Sequence, residues 1–124
     1  MAESNIRRLN QLLKAYKCHN TYNVLVEDLA VALASSRRNV ALIIKRLVAL
    51  GWIEWQPAVG RGQTSILKIQ TSVDEALYQT MVEQLEEDRF DLISKLIEQY
   101  REKAVRALTR AMGIECADLS MIQK

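Results

Sequence analysis

Apolar positions along the chain change their spacing twice, and each spacing predicts a different element. In residues 5–17, Ile6, Leu9, Leu12, Leu13 and Tyr16 recur every three or four positions, which places them on one face of a helix. Arg7, Arg8, Lys14 and Lys17 fall elsewhere on it. CHNTYN, rich in turn-formers, ends that helix and leaves a short extended connection. VLVEDLAVALAS follows, with Leu29, Ala30 and Leu33 as the buried row of a short second helix. Its start is weakly marked, because Leu25 stands where a polar cap would help. Ser35 and Ser36 then interrupt the apolar rhythm. Ser36 suits the N-cap of a third helix, since its hydroxyl can accept a free backbone N–H. The helix is predicted to run to Leu50, with Gly51 in the left-handed position that ends many helices. Val40, Ile43, Ile44 and Leu47 share one side of it; Arg38, Leu42, Lys45 and Ala49 share the opposite side; Arg37, Ala41 and Arg46 lie on the flanks.

At Trp52 the period drops to two. WIEWQ and SILKIQ both alternate and read as strands. Between them PAVGRGQT holds the only Pro and two of the four Gly, so residues 52–70 are predicted to form a hairpin with a Gly60-Arg61-Gly62 tip. Trp52 and Trp55 would point to opposite faces of such a strand. One is expected to fill the core and the other to cap the sheet or meet a helix. From Thr71 the helical period returns. Val73, Leu77, Met81 and Leu85 form one stripe, EEDR at 86–89 marks a joint, and a second stripe runs from Ile93 to Ala111, ended by Gly113.

Helix, extended piece, helix, helix and hairpin is the order of a winged helix-turn-helix. The expected fold is α+β, mostly α, with additional C-terminal helices. The step from Leu33 to Ser36 supplies the turn between the second and third helices. Residues 1–71 are assigned to the winged domain, 72–113 to a helical extension for packing or dimerisation, and 114–124 to a short tail. In this fold the third helix enters the DNA major groove, ~12 Å wide, while its inner face holds it to the core.

Charge distribution adds direction to that reading. Residues 1–72 hold ten Lys/Arg and four Asp/Glu, a net of +6, whereas residues 73–124 hold seven and eleven, a net of −4. A basic front suits a polyanion. The candidate DNA-binding residues are therefore Ser36, Arg37, Arg38, Ala41, Leu42, Lys45 and Arg46 on the third helix, with Arg61 on the wing. Arg38 and Lys45 are placed for base edges or phosphates, Arg37 and Arg46 for phosphates. Arg61, between two glycines, can reach the minor groove or its phosphates. Leu42 has two readings, a contact to a thymine methyl or an ordinary surface leucine.

Other chemistry finds little footing. No apolar run approaches the 18 or so residues of a membrane helix, and the N-terminus lacks the apolar block of a secretory leader. Cys18 and Cys116 stand far apart in unlike contexts and read as reduced thiols, which points to the cytoplasm. His19 beside Cys18 shows no repeated ligand spacing, so no metal is expected. Phosphate-loop and nucleophile-elbow motifs do not occur, and neither an enzyme nor a cofactor is expected. The alternative to DNA binding is a winged helix that grips a protein partner through Leu42 and its neighbours. The apolar face along 90–111 must fold back on the chain or pair with a second copy, and a homodimer is the expectation.

Several separated motifs agree with one known family. Ser36-Arg37-Arg38 opens the third helix, Gly51-Trp52 steps into a strand that carries Trp55, and Ala58, Gly60, Arg61 and Gly62 form the wing. The segment Glu87-Asp88-Arg89 with Asp91 matches the helix that follows. Over roughly residues 6–97 the chain resembles the N-terminal DNA-binding domain of the SgrR family of bacterial transcriptional regulators. The resemblance implies a winged-helix transcription factor with Arg37, Arg38 and Arg61 at the DNA face. Full-length regulators of that family continue into a large solute-binding domain; no small-molecule domain is expected within these 124 residues.

Overall fold

A computed structural model describes residues 2–60 and 63–113. The chain divides into two compact units, Met1–Val73 and Asp74–Lys124. The first is a winged helix-turn-helix: α1 (Ala2–Ala15), β1 (Thr21–Val24), α2 (Val26–Ala32), α3 (Arg37–Ala49), β2 (Ile53–Gln56) and β3 (Ser65–Ile69). α1 packs on both α2 and α3. Ile6, Leu9 and Leu12 from α1 are buried, together with Leu29, Leu33, Val40, Ile43, Ile44 and Leu47. These are the helical-period positions of the three segments, and burying an aliphatic side chain contributes roughly 1.5–3 kcal/mol each.

The turn between α2 and α3 is held by side chains. Arg8 Nη1 of α1 donates to the Leu33 carbonyl at 2.8 Å, and Ser35 Oγ donates to the same oxygen at 3.0 Å. A carbonyl orphaned at a helix end thereby gains two partners. Ala34 takes φ 49°, which turns the chain sharply between the helices. Ser36 then caps α3, its Oγ accepting the Asn39 N–H at 3.3 Å. Gly51, at φ 76°, ends that helix in the left-handed region.

A third strand corrects the expected two-stranded hairpin. β1 pairs antiparallel with β3, giving the order β1-β3-β2, with Tyr22 opposite Leu67 and Val24 opposite Ser65. Four residues are too few for alternation to stand out among turn-formers. What aligns them is tertiary: the His19 N–H donates to the Ile69 carbonyl at 2.7 Å, with His19 itself at φ 70°. Tyr22 Oη accepts the Lys17 N–H at 2.9 Å, and the Tyr16 ring meets the Tyr22 ring edge-on at 5.1 Å. The Lys17 N–H bond favours the ionised Tyr22 phenol and lowers its pKa, whereas burial raises that of Tyr16.

The tryptophans divide as expected between core and helix, but not as the two faces of one strand. Trp52 precedes β2, in a bend whose carbonyl accepts the Gln70 N–H at 2.9 Å, and it is buried. Trp55 lies opposite Leu67 on the same face as the Ile53–Ile69 pair, and is half-buried. They are therefore not two faces of one strand: Trp52 fills the core and Trp55 lies beside α3.

The second unit holds α4 (Val73–Glu86), α5 (Phe90–Tyr100) and α6 (Glu102–Ala111). Asp88, at φ 57°, marks the joint expected at EEDR. The long stripe from Ile93 to Ala111 is not one helix, because Arg101 adopts φ 51° and ψ −117° and separates α5 from α6. The two helices pack on each other, and Ile93, Leu96, Ala104 and Ala107 are buried. One residue out of helical geometry thus divides the stripe into two helices. Arg110 reaches back to α4, donating to Glu75 Oε1 at 2.7 Å and lying 4.0 Å from the centre of the Tyr78 ring. The expected tail 114–124, with Cys116, lies outside the described residues. Among those described, Cys18 is a free thiol, no helix is long and apolar enough to cross a membrane, and no group of three His, Cys, Asp or Glu is placed to hold a metal ion.

Candidate nucleic-acid interface

α3 is fixed from within and open from without. Val40, Ile43, Ile44 and Leu47 are buried, whereas Arg38, Leu42, Lys45 and Ala49 are exposed on the other side. The helix is 13 residues long, about 20 Å at a rise of about 1.5 Å per residue. Several major-groove base pairs fall within that length. Among the described residues neither Arg38, Lys45 nor Arg46 forms a salt bridge, and α3 contains no acidic residue. Its outer face therefore carries positive charge that no acidic residue of α3 offsets.

The candidate side chains are not equivalent. Arg37 lies 3.3 Å from Glu27 of α2, both ends well exposed. Such a pair contributes little to stability and can exchange for a phosphate. It links the start of α3 to α2. Ser36 directs its hydroxyl oxygen to the backbone as a cap, so its first task is local. Arg46 is half-buried on the flank. Ala41 is exposed and lies toward the wing. Leu42, at 55% exposure, stands between Arg38 and Lys45. Arg61, with Gly62, lies outside the described residues.

The wing is the loop between β2 and β3. Its stem is closed by the Ala58 N–H donating to Ser65 Oγ at 3.1 Å and by the Gln63 N–H donating to the Gly60 carbonyl at 3.3 Å. Two grooves separate it from the helices. One, of about 530 Å³, runs between α3 and the wing and is lined by Ala41, Lys45, Val48, Trp55, Pro57 and Ala58. The other, of about 500 Å³, joins Glu27 and Arg37 to Ala58, Gly60 and Gln63. The start of α3 and the wing stem therefore border one concavity, which brings the basic helix and the wing to the same side of the unit.

Sequence reading passed over Asn39 and Gln63. Asn39 is exposed in the first turn of α3, next to Arg38, and Gln63 faces the second groove. An amide on the exposed part of a basic helix is a standard partner for adenine, and its place on the helical wheel was available. Gln63 carried no such signal, because only the folded hairpin sets it beside Arg37.

Comparison with known proteins is consistent with this geometry. A family model described as "Sugar transport-related sRNA regulator N-term" matches residues 6–118. The HTH-type transcriptional regulator SgrR of Salmonella typhimurium is 29% identical over 93 residues, covering 73% of this chain and 17% of that protein. A protein of the same name from Yersinia pestis is 30% identical over 107 residues, covering 85% of this chain and 19% of that protein. The chain thus spans 17–19% of the length of these curated relatives. No solved structure matches significantly.

Proposed function

The chain belongs to the SgrR N-terminal family, and from that premise we propose that it is the sequence-specific, double-stranded-DNA-binding part of a bacterial transcriptional regulator. In this reading α3 enters the major groove and the wing, with Arg61, touches the minor groove or the backbone. The observation that carries it is the outer face of α3. Arg38 and Lys45 project from a helix whose other side is locked into the core, and no acidic side chain of α3 offsets them. Arg37 and Arg46 serve phosphates. The protein acts in the cytoplasm as a binding module, without catalysis and without a cofactor.

Selection of bound fragments from random or genomic DNA tests this reading. The expected result is enrichment of a defined site, bound with an affinity that falls steeply as salt rises, because each neutralised phosphate releases counterions. Binding independent of salt, or no enrichment, would sink it. We further assign homodimerisation to the C-terminal helices, where Phe90, Val105 and Met112 remain exposed. A dimer would match two-fold sites, and light scattering that returns a monomer at working concentrations overturns it.

A second reading rests on a specific observation. The groove between α3 and the wing is mostly apolar, with Val48 and Trp55 on its walls. A protein partner held there would make the unit an interaction module. Loss of that partner in Val48→Asp, with no DNA site found, would favour it.

A further inference from the structure

We propose that α3 reads thymine by its 5-methyl group through Leu42, so that the site contains a thymine about two base-pair steps from the base or phosphate contacted by Arg38. This rests on the DNA-binding reading and names what the same surface selects. Leu42 occupies the middle of the exposed side of α3, with Arg38 before it and Lys45 after it. Four residues of helix advance about 6 Å, close to two base-pair rises of about 3.4 Å. If Arg38 and Lys45 reach into the groove, Leu42 must face its floor, because all three share one side.

A leucine there cannot answer a donor or an acceptor. Every base pair presents hydrogen-bonding groups in the major groove, and thymine alone of the unmodified bases adds a methyl. Opposite a guanine or cytosine edge Leu42 would displace water from polar atoms and return no hydrogen bond, which penalises the wrong base. Opposite thymine it buries methyl against methyl. Asn39 and Arg38, exposed in the first turn, supply the polar contacts, since Asn pairs with adenine and Arg with guanine. Arg38, Asn39 and Leu42 thus give the helix polar and apolar readers side by side. An exposed leucine in a basic helix is thereby a specificity element.

The test uses the 124-residue chain and a site obtained by selection. Each thymine is replaced in turn by deoxyuridine, which removes only the methyl group. At one position affinity is expected to fall roughly three- to tenfold, the scale of one buried methyl with its neighbours. Leu42→Ala, at an exposed position, should leave folding intact and erase the difference between thymine and deoxyuridine there. Placing 5-methylcytosine in the same strand position of a cytosine variant should restore part of the affinity for the parent chain and none for Leu42→Ala. If the chain binds a defined, salt-sensitive site and no thymine-to-uridine change matters, the inference falls while the DNA-binding reading stands. It falls equally if Leu42→Ala still discriminates thymine from deoxyuridine. Failure to bind any DNA overturns both.

Discussion

α3 and α6 are both amphipathic helices with several basic residues. α3 carries Arg37, Arg38, Lys45 and Arg46 and no acid; α6 carries Lys103, Arg106 and Arg110 with Glu102. The difference lies in where the cations are spent. Arg106 lies 3.8 Å from Glu102, and Arg110 lies 2.7 Å from Glu75, against the face of the Tyr78 ring. The Glu75 hydrogen bond raises the pKa of the Arg110 guanidinium above its ordinary value. In α3, Arg37 alone has an ion partner among the described residues. Counting basic residues would rank the helices together. Asking which cations already have partners separates a face of largely unpartnered cations from one whose arginines are held within the second unit.

The comparison breaks most visibly from the inside. Leu47→Ala empties a fully buried position beneath α3 and is expected to lower stability by about 2–5 kcal/mol in urea unfolding. The outer face should behave oppositely. Lys45→Ala with Arg46→Ala is expected to leave stability within about 0.5 kcal/mol, yet reduce the slope of log affinity against log salt by about 2 if both meet phosphates. The matched pair Arg106→Ala with Arg110→Ala should leave that slope unchanged. If the α6 pair lowers the slope as much as the α3 pair, the distinction between the two helices fails.

Smaller effects sharpen the account of how α3 is aimed. Ser36→Ala removes the cap acceptor for Asn39 N–H and is expected to cost about 1 kcal/mol, with DNA affinity falling as the first turn frays. Ala34→Gly runs the other way. Ala34 holds φ 49°, a conformation that glycine adopts without a Cβ penalty, so the substitution should stabilise the unit by about 0.5–1 kcal/mol. A destabilised Ala34→Gly in thermal unfolding would mean that the turn is held for another reason.

The helices of the first unit were legible because their apolar spacing had one solution. Ile6, Leu9 and Leu12, and likewise Val40, Ile43, Ile44 and Leu47, mark inner faces that the fold buries. The candidate site was legible in part for the same reason: once the inner side of α3 is known, Arg38, Leu42 and Lys45 must lie outside. Asn39 is equally legible, since its place in the first turn of α3 puts it outside the buried side. β1 was not readable, because four residues between turn-formers acquire their strand geometry only by pairing with β3.

Arg8 shows the boundary between the two kinds of information most clearly. In the sequence it is one of several cations scattered around a helix. In the fold its guanidinium donates to the Leu33 carbonyl and braces the turn that aims α3. The sequence by itself determined the order of the three helices and the β2–β3 hairpin in the first unit, the inner and outer sides of α3, its Ser36 and Gly51 ends, and the basic bias of the first 72 residues, since periodicity, capping and charge are properties of nearby residues. Only tertiary structure decided that Arg8 and Arg110 already have partners, that β1 joins the sheet, and that the wing stem borders the start of α3. Each of these depends on groups far apart in the chain, whose meeting no local pattern encodes.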